Sequence, residues 1–148
     1  MKYTEANLGR IFILRLEDDD EIPKTIEVFA SEHDIQAATV LFLGSAKKDS
    51  KVVAGPKNGE TLEDIEVNIK KLSGTSEAVG VGSIFINEKG NPRLHLHSAF
   101  GRDNGTITGC TRKGIKIWQV GEIVIMELKN TKAKREIDRK TGFEMLNM

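Results

Sequence analysis

The sequence predicts an α+β (α/β) domain: a compact, mainly antiparallel mixed β-sheet with one main helix near the N-terminus. Three observations predict it. β-branched and apolar runs recur along the chain, and only one stretch has its apolar residues at helical spacing. Turn signals such as Gly55-Pro56, Asn91-Pro92 and Asp103-Asn104-Gly105 separate most of the later runs. At 148 residues the chain is long enough for one core, so it reads as one domain over residues 1–128 followed by a charged tail, 129–148.

Taken in order, Arg10 to Leu16 (RIFILRL) is a strand, apolar enough to be buried on most of both faces. The carboxylates Glu17 to Glu21 repel one another and end it. Pro23 suits a first helical turn, and Asp19, Asp20 and Glu21 lie near the positive end of the helix dipole. Ile22, Ile26, Phe29 and Ala30 then make Ile22 to about His33 an amphipathic helix. Ala37 to Gly44 is apolar nearly throughout, and strand, short helix, buried strand predicts a parallel pair. Lys51 to Ala54 is a short strand, and Glu63 to Leu72 alternates as a strand with one wet face. Ala78 to Ile86 is a strand whose Gly80 and Gly82 call for a bulge or a close backbone approach. The connection Asn87 to Pro92 pairs it antiparallel with Arg93 to Arg102. Thr106 to Cys110 follows, then Ile115 to Val120 and Glu122 to Leu128 as a last strand or strand pair. From Lys129 apolar anchors are few until Phe143, Met145 and Leu146, which predicts a frayed or partner-docked tail.

Composition narrows the function classes. Twenty-two basic residues balance 22 acidic ones, so the whole-chain cationic field of a nucleic-acid binder is missing. The basic candidates are Lys129, Lys132, Lys134, Arg135, Arg139 and Lys140, interleaved with Glu136 and Asp138 and without an aromatic row. A single cysteine, Cys110, excludes a disulfide framework and a Cys-rich zinc module, and fits a reducing cytoplasm. No apolar run approaches the roughly 20 residues of a membrane span, so a cytoplasmic chain with no membrane partner is expected. Phosphate-loop, dinucleotide and nucleophile-elbow motifs are absent.

What remains is the stretch Arg93-Leu94-His95-Leu96-His97-Ser98-Ala99-Phe100-Gly101-Arg102. On a strand, His95 and His97 share one face, with Cβ atoms roughly 6–7 Å apart. Two imidazoles there can reach one metal ion at about 2.1 Å; two polar residues on a wet strand face satisfy the same pattern. The third histidine, His33, ends the helix, where it could equally complement the dipole or join a three-histidine site with an open fourth position. Glu32 beside it is a surface charge or a general base. Cys110 is a small buried residue by default and a soft ligand as the alternative. Arg102 is a surface arginine, an anion contact or a subunit contact.

Gly9 to Leu16, Glu32-His33-Asp34-Ile35 leading into Ala38 to Ala46, His95 to Gly101, and Glu122 to Ile125 together resemble the plant- and prokaryote-conserved (PPC) domain, over about Gly9 to Leu128. In plants this domain follows AT-hook DNA-binding motifs; in bacteria and archaea it usually stands alone. The resemblance implies a compact, mainly antiparallel α/β domain assembled as a homotrimer. It also implies, for some stand-alone members, a bound metal, zinc foremost, on His33, His95 and His97. Many members carry Gly-Gly-His-Leu after the His-x-His strand; here that position reads Gly109-Cys110-Thr111-Arg112, so one family histidine is missing. The flat apolar surface of Ala37 to Leu43 and Val79 to Ile86, more than one thin helix covers, is a physical reason for a trimer. Three functions follow as expectations. The first is a zinc-binding module acting through partners, with no catalytic residue. The second is a DNA-associated regulator. The third is a metal-dependent enzyme in which the three-histidine site activates water.

Overall fold

A computed structural model of the chain describes residues 1–57, 66–139 and 141–148. Its centre is an antiparallel sheet. The strands are β1 (Asn7–Leu16), β2 (Glu21–Ile22), β3 (Ala37–Ala46), β4 (Lys51–Pro56), β5 (Val67–Lys71), β6 (Ser76–Ile86), β7 (Pro92–Arg102), β8 (Gly105–Cys110) and β9 (Ile115–Lys129). Their order is β1-β9-β3-β6-β7-β8-β4-β5, with β2 on the far end of β9. The single helix among the described residues, α1 (Lys24–Glu32), lies between β2 and β3.

The expected parallel pair is not formed. β1 and β3 do run the same way, but β9 is inserted between them and pairs antiparallel with both. The β1–α1–β3 crossover thus leaves a gap that the last long strand fills, which no local pattern could announce. β9 is one strand of 15 residues rather than two. It passes through Gln119 at φ +60 and Gly121, where an added Cβ would meet Leu16 Cβ at 3.0 Å. α1 starts at Lys24 after Pro23, because Ile22 is spent on the β2 bridge to Ile115. The expected strand from Glu63 is described only as β5; Glu63, Asp64 and Ile65 lie outside the described residues, as does Lys140.

One face of the sheet carries the core. Ile125, Val40, Gly82 and Leu96 stand opposite one another across β9, β3, β6 and β7, and Ile123, Phe42, Gly80 and Ser98 form the next row. Ile26 and Ala30 of α1 belong to the same buried cluster. The two glycines are the close approach their spacing predicts. A Cβ on Gly82 would lie 2.5 Å from the His95 carbonyl oxygen and 2.7 Å from Leu96 Cα, and one on Gly80 would strike Ser98 Oγ.

The opposite face is open and apolar. Ile13, Val124, Leu41, Val81, His97 and Cys110 form one continuous row across six strands. Ile13 is 83% exposed, Leu43 57% and Val81 61%. The burial on both faces expected for β1 and β3 is therefore missing at their centres, where Ile11, Ile13, Leu41 and Leu43 are exposed on this face; only the ends of β3, at Ala37 and Ser45, are buried on it. The tail is not frayed. It forms a hairpin of β10 (Lys134–Ile137) and β11 (Glu144–Asn147) that packs on one end of the open face. There Ala133 joins Ala37 and Phe85 in a small cluster, and the Arg135 guanidinium sits 6.0 Å from the Phe85 ring centre.

Candidate metal centre

Strand pairing builds the site. On β7, His95 and His97 alternate with buried Leu94, Leu96 and Ser98, so both imidazoles stand on the open face. The β7–β8 hairpin pairs Arg102 with Gly105 and therefore places Cys110 opposite His97 on that face. The His95 and His97 Nε2 atoms lie 3.0 Å apart, their rings crossing at 82°. With Cys110 Sγ they make a group of three ligand atoms all within 4.8 Å of one another. Bond lengths of about 2.1 Å to nitrogen and 2.3 Å to sulfur give tetrahedral ligand–ligand edges of roughly 3.4–3.6 Å. To meet these edges the two nitrogens must spread by about 0.4 Å and the sulfur must draw in, adjustments that side-chain rotation can supply, so the three groups can hold zinc. Two nitrogens and one sulfur are also the donors a borderline-soft cation prefers.

The surroundings favour the neutral imidazole that a metal needs. Burial lowers the His95 pKa, and the charges of Arg135, His97 and Arg112 lower it further. Cys110 is free and buried.

His33 is placed elsewhere. It caps α1, with Nδ1 3.0 Å from the Phe29 carbonyl oxygen, its ring stacked on Phe29 (4.0 Å) and edge-on to Phe12. Its own carbonyl accepts a hydrogen bond from Arg10 Nη2 at 2.9 Å. Within one chain it does not join the His95–His97–Cys110 group. Glu32 is exposed at the same helix end. Arg102 is also apart, donating to the Thr75 carbonyl at 2.7 Å and so holding the turn before β6. The residue that sequence reasoning passed over is Arg135. It was grouped with the basic tail, yet it is 6% exposed and donates to Ser83 Oγ, on the residue opposite His95. No local pattern sets it apart from Lys134 beside it; its place depends on the hairpin returning to Ser83 and Phe85 of the sheet.

Comparisons with known proteins agree with this architecture. A metal-containing protein from Archaeoglobus fulgidus superposes with a TM-score of 0.85 at 22% identity, over all of both chains. A plant- and prokaryote-conserved protein from Pyrococcus horikoshii gives 0.84 at 23%, over 100% of this chain and 98% of that one. A candidate DNA-binding protein from Bacteroides thetaiotaomicron gives 0.75 at 17%, over 96% of each. At these identities the likeness is one of fold. No curated protein matches the chain. The sequence model of the Plants and Prokaryotes Conserved domain matches residues 3–129, all but the tail hairpin and two leading residues, and the chain belongs to that family.

Proposed function

We propose that this chain is a zinc-binding, homotrimeric binding or regulatory module. The observation that carries the proposal is the convergence of His95, His97 and Cys110 ligand atoms within 4.8 Å. Zinc would take two imidazoles and one thiolate, leaving a fourth position for solvent or a ligand. The family's histidine position is Thr111 here, so Cys110 supplies the third donor from the residue before it, and a thiolate partner suits the reducing cytoplasm expected from a single cysteine. The metal-containing relative from Archaeoglobus fulgidus supports the reading by fold.

The trimer draws its support from the open sheet face. Ile13, Leu41, Leu43, Val79 and Val81 form an exposed apolar patch of the kind that marks an interface. The metal site stands on its edge, in register with Val81. The relatives described as candidate DNA-binding proteins keep a second reading open. In this chain, however, Lys129 pairs with Glu127, Lys134 pairs with Glu136 and Arg135 is buried, so little of the basic tail faces a phosphate backbone. Zinc titration against a chromogenic chelator tests the first reading: one ion per chain is expected, with the affinity lost in His95→Ala and His97→Ala. Wild-type affinity in both variants would refute it.

A further inference from the structure

The tail hairpin encloses a cavity of about 520 Å³ against β7 and β8, next to the His95–Cys110 pair. Its walls divide by chemistry. Leu94, Phe143 and Met145 are apolar, whereas Arg93, Arg112 and Arg135 supply three guanidinium groups. Arg93 already has carboxylate neighbours, Glu27 at 3.2 Å and Glu144 at 3.8 Å. Arg112 has no carboxylate within 4 Å among the described residues, and neither does Arg135. Arg135 is also nine-tenths buried, its single hydrogen bond goes to neutral Ser83 Oγ, and its Nε has no partner at all. A buried guanidinium left with an orphan N–H is costly, because an unpaired buried charge forfeits hydration without recovering it. Glu144, the one acid on the cavity wall, is engaged with Arg93.

The geometry points to a binding site for a small organic anion: an oxyanion head paired with Arg135 and Arg112, and an apolar body against Leu94, Phe143 and Met145. The volume is that of an ordinary small-molecule site. The planar fork of an arginine matches an oxyanion in two parallel hydrogen bonds, and Nε is one prong of that fork. The inference rests on the proposed zinc centre only for a second anchor, since His95 and Cys110, which would hold the ion, line the same cavity; the arginine anchor stands without it. The tail hairpin thereby becomes one wall of a pocket rather than a basic appendage.

Thermal unfolding of the full chain tests the site, with zinc-free and zinc-loaded protein run side by side. The probes are hexanoate, acetate, inorganic phosphate and the neutral control hexanol. Hexanoate is expected to raise Tm by about 3–6 °C at a tenfold excess over its Kd in both forms. Acetate and phosphate, which carry the head alone, bind more weakly, and hexanol gives no shift. Arg135→Gln should lose at least tenfold in hexanoate affinity. Because Arg135 packs on Phe85, the exposed Arg112→Ala is the companion variant and should lose several-fold with an unchanged ligand-free Tm. Equal shifts with hexanol and hexanoate, wild-type affinity in Arg112→Ala, or no shift with any anion in a protein that does bind zinc would overturn the site. Hexanoate binding in a chain that never takes up zinc would uphold it and remove the metal reading instead.

Discussion

Replacing Glu127 by Gln should cost this domain about 2–3 kcal/mol at neutral pH and little near pH 2. Glu127 lies on β9 with 1% of its side chain exposed, between Arg10 and Lys129. Oε2 accepts from the Arg10 backbone N–H at 3.1 Å and from Nε at 2.8 Å, and Oε1 accepts from Arg10 Nη2 at 2.8 Å. These bonds, with the Lys129 ammonium 2.7 Å away, hold the carboxyl down from 4.5 to about 2, against the opposing effect of burial. At ~1.4 kcal/mol per unit, the difference is worth roughly 3 kcal/mol. Arg10 is half exposed and recovers some hydration once freed, so somewhat less should be lost. A folded-state pKa below the unfolded one gives stability that is present above the unfolded value and lost as pH falls through the folded one. The wild-type advantage should therefore be full at pH 7, shrink below about pH 5 and be nearly gone at pH 2. Urea unfolding of both proteins at equal concentration across pH 2–7 measures it; at pH 7 the variant should melt about 5–10 °C lower. A gap under 0.5 kcal/mol at pH 7, or one that persists unchanged at pH 2, would refute the reasoning.

Other outcomes follow from the same structure. Cys110→Ser should weaken zinc binding at least tenfold while Cys110→His retains it, by chelator competition, since histidine puts a nitrogen donor in place of the sulfur opposite His97. Val81→Asp, on a side chain 61% exposed, should shift the sedimentation coefficient from that of the proposed trimer to that of a monomer, with little loss of secondary structure. Gly82→Ala should lower stability by about 1–3 kcal/mol in urea unfolding, because its Cβ falls 2.5 Å from the His95 carbonyl oxygen and the strand must move.

Most of the strands were legible because each carries its own period and its own punctuation. The hairpin of β6 and β7, and the glycine approach between them, followed from Gly80, Gly82 and the Asn87–Pro92 connection. Cys110 could have been placed too. With the β7–β8 turn at Asp103-Asn104, counting back from Arg102 and Gly105 sets Cys110 against His97, a step of arithmetic that treating the cysteine alone omits. The insertion of β9 between β1 and β3 was not legible, because it depends on a strand some 70 residues beyond the crossover and on no local pattern. The tail misled for a different reason. Its charges are real, but Ala133 and Arg135 find apolar partners, Ala37 and Phe85, that are contributed by distant strands. His33, expected at the end of the helix, lies there with its Nδ1 on the Phe29 carbonyl and its ring stacked on Phe29.

The central claim is that His95, His97 and Cys110 hold one zinc ion. X-ray absorption at the zinc edge of the purified, zinc-loaded chain tests it most directly, because it counts sulfur. The account predicts one sulfur at about 2.3 Å and two imidazole nitrogens at about 2.1 Å, with a light atom completing four ligands. A shell of nitrogen and oxygen alone, or a chain that takes up no zinc when supplied with it, would contradict the account.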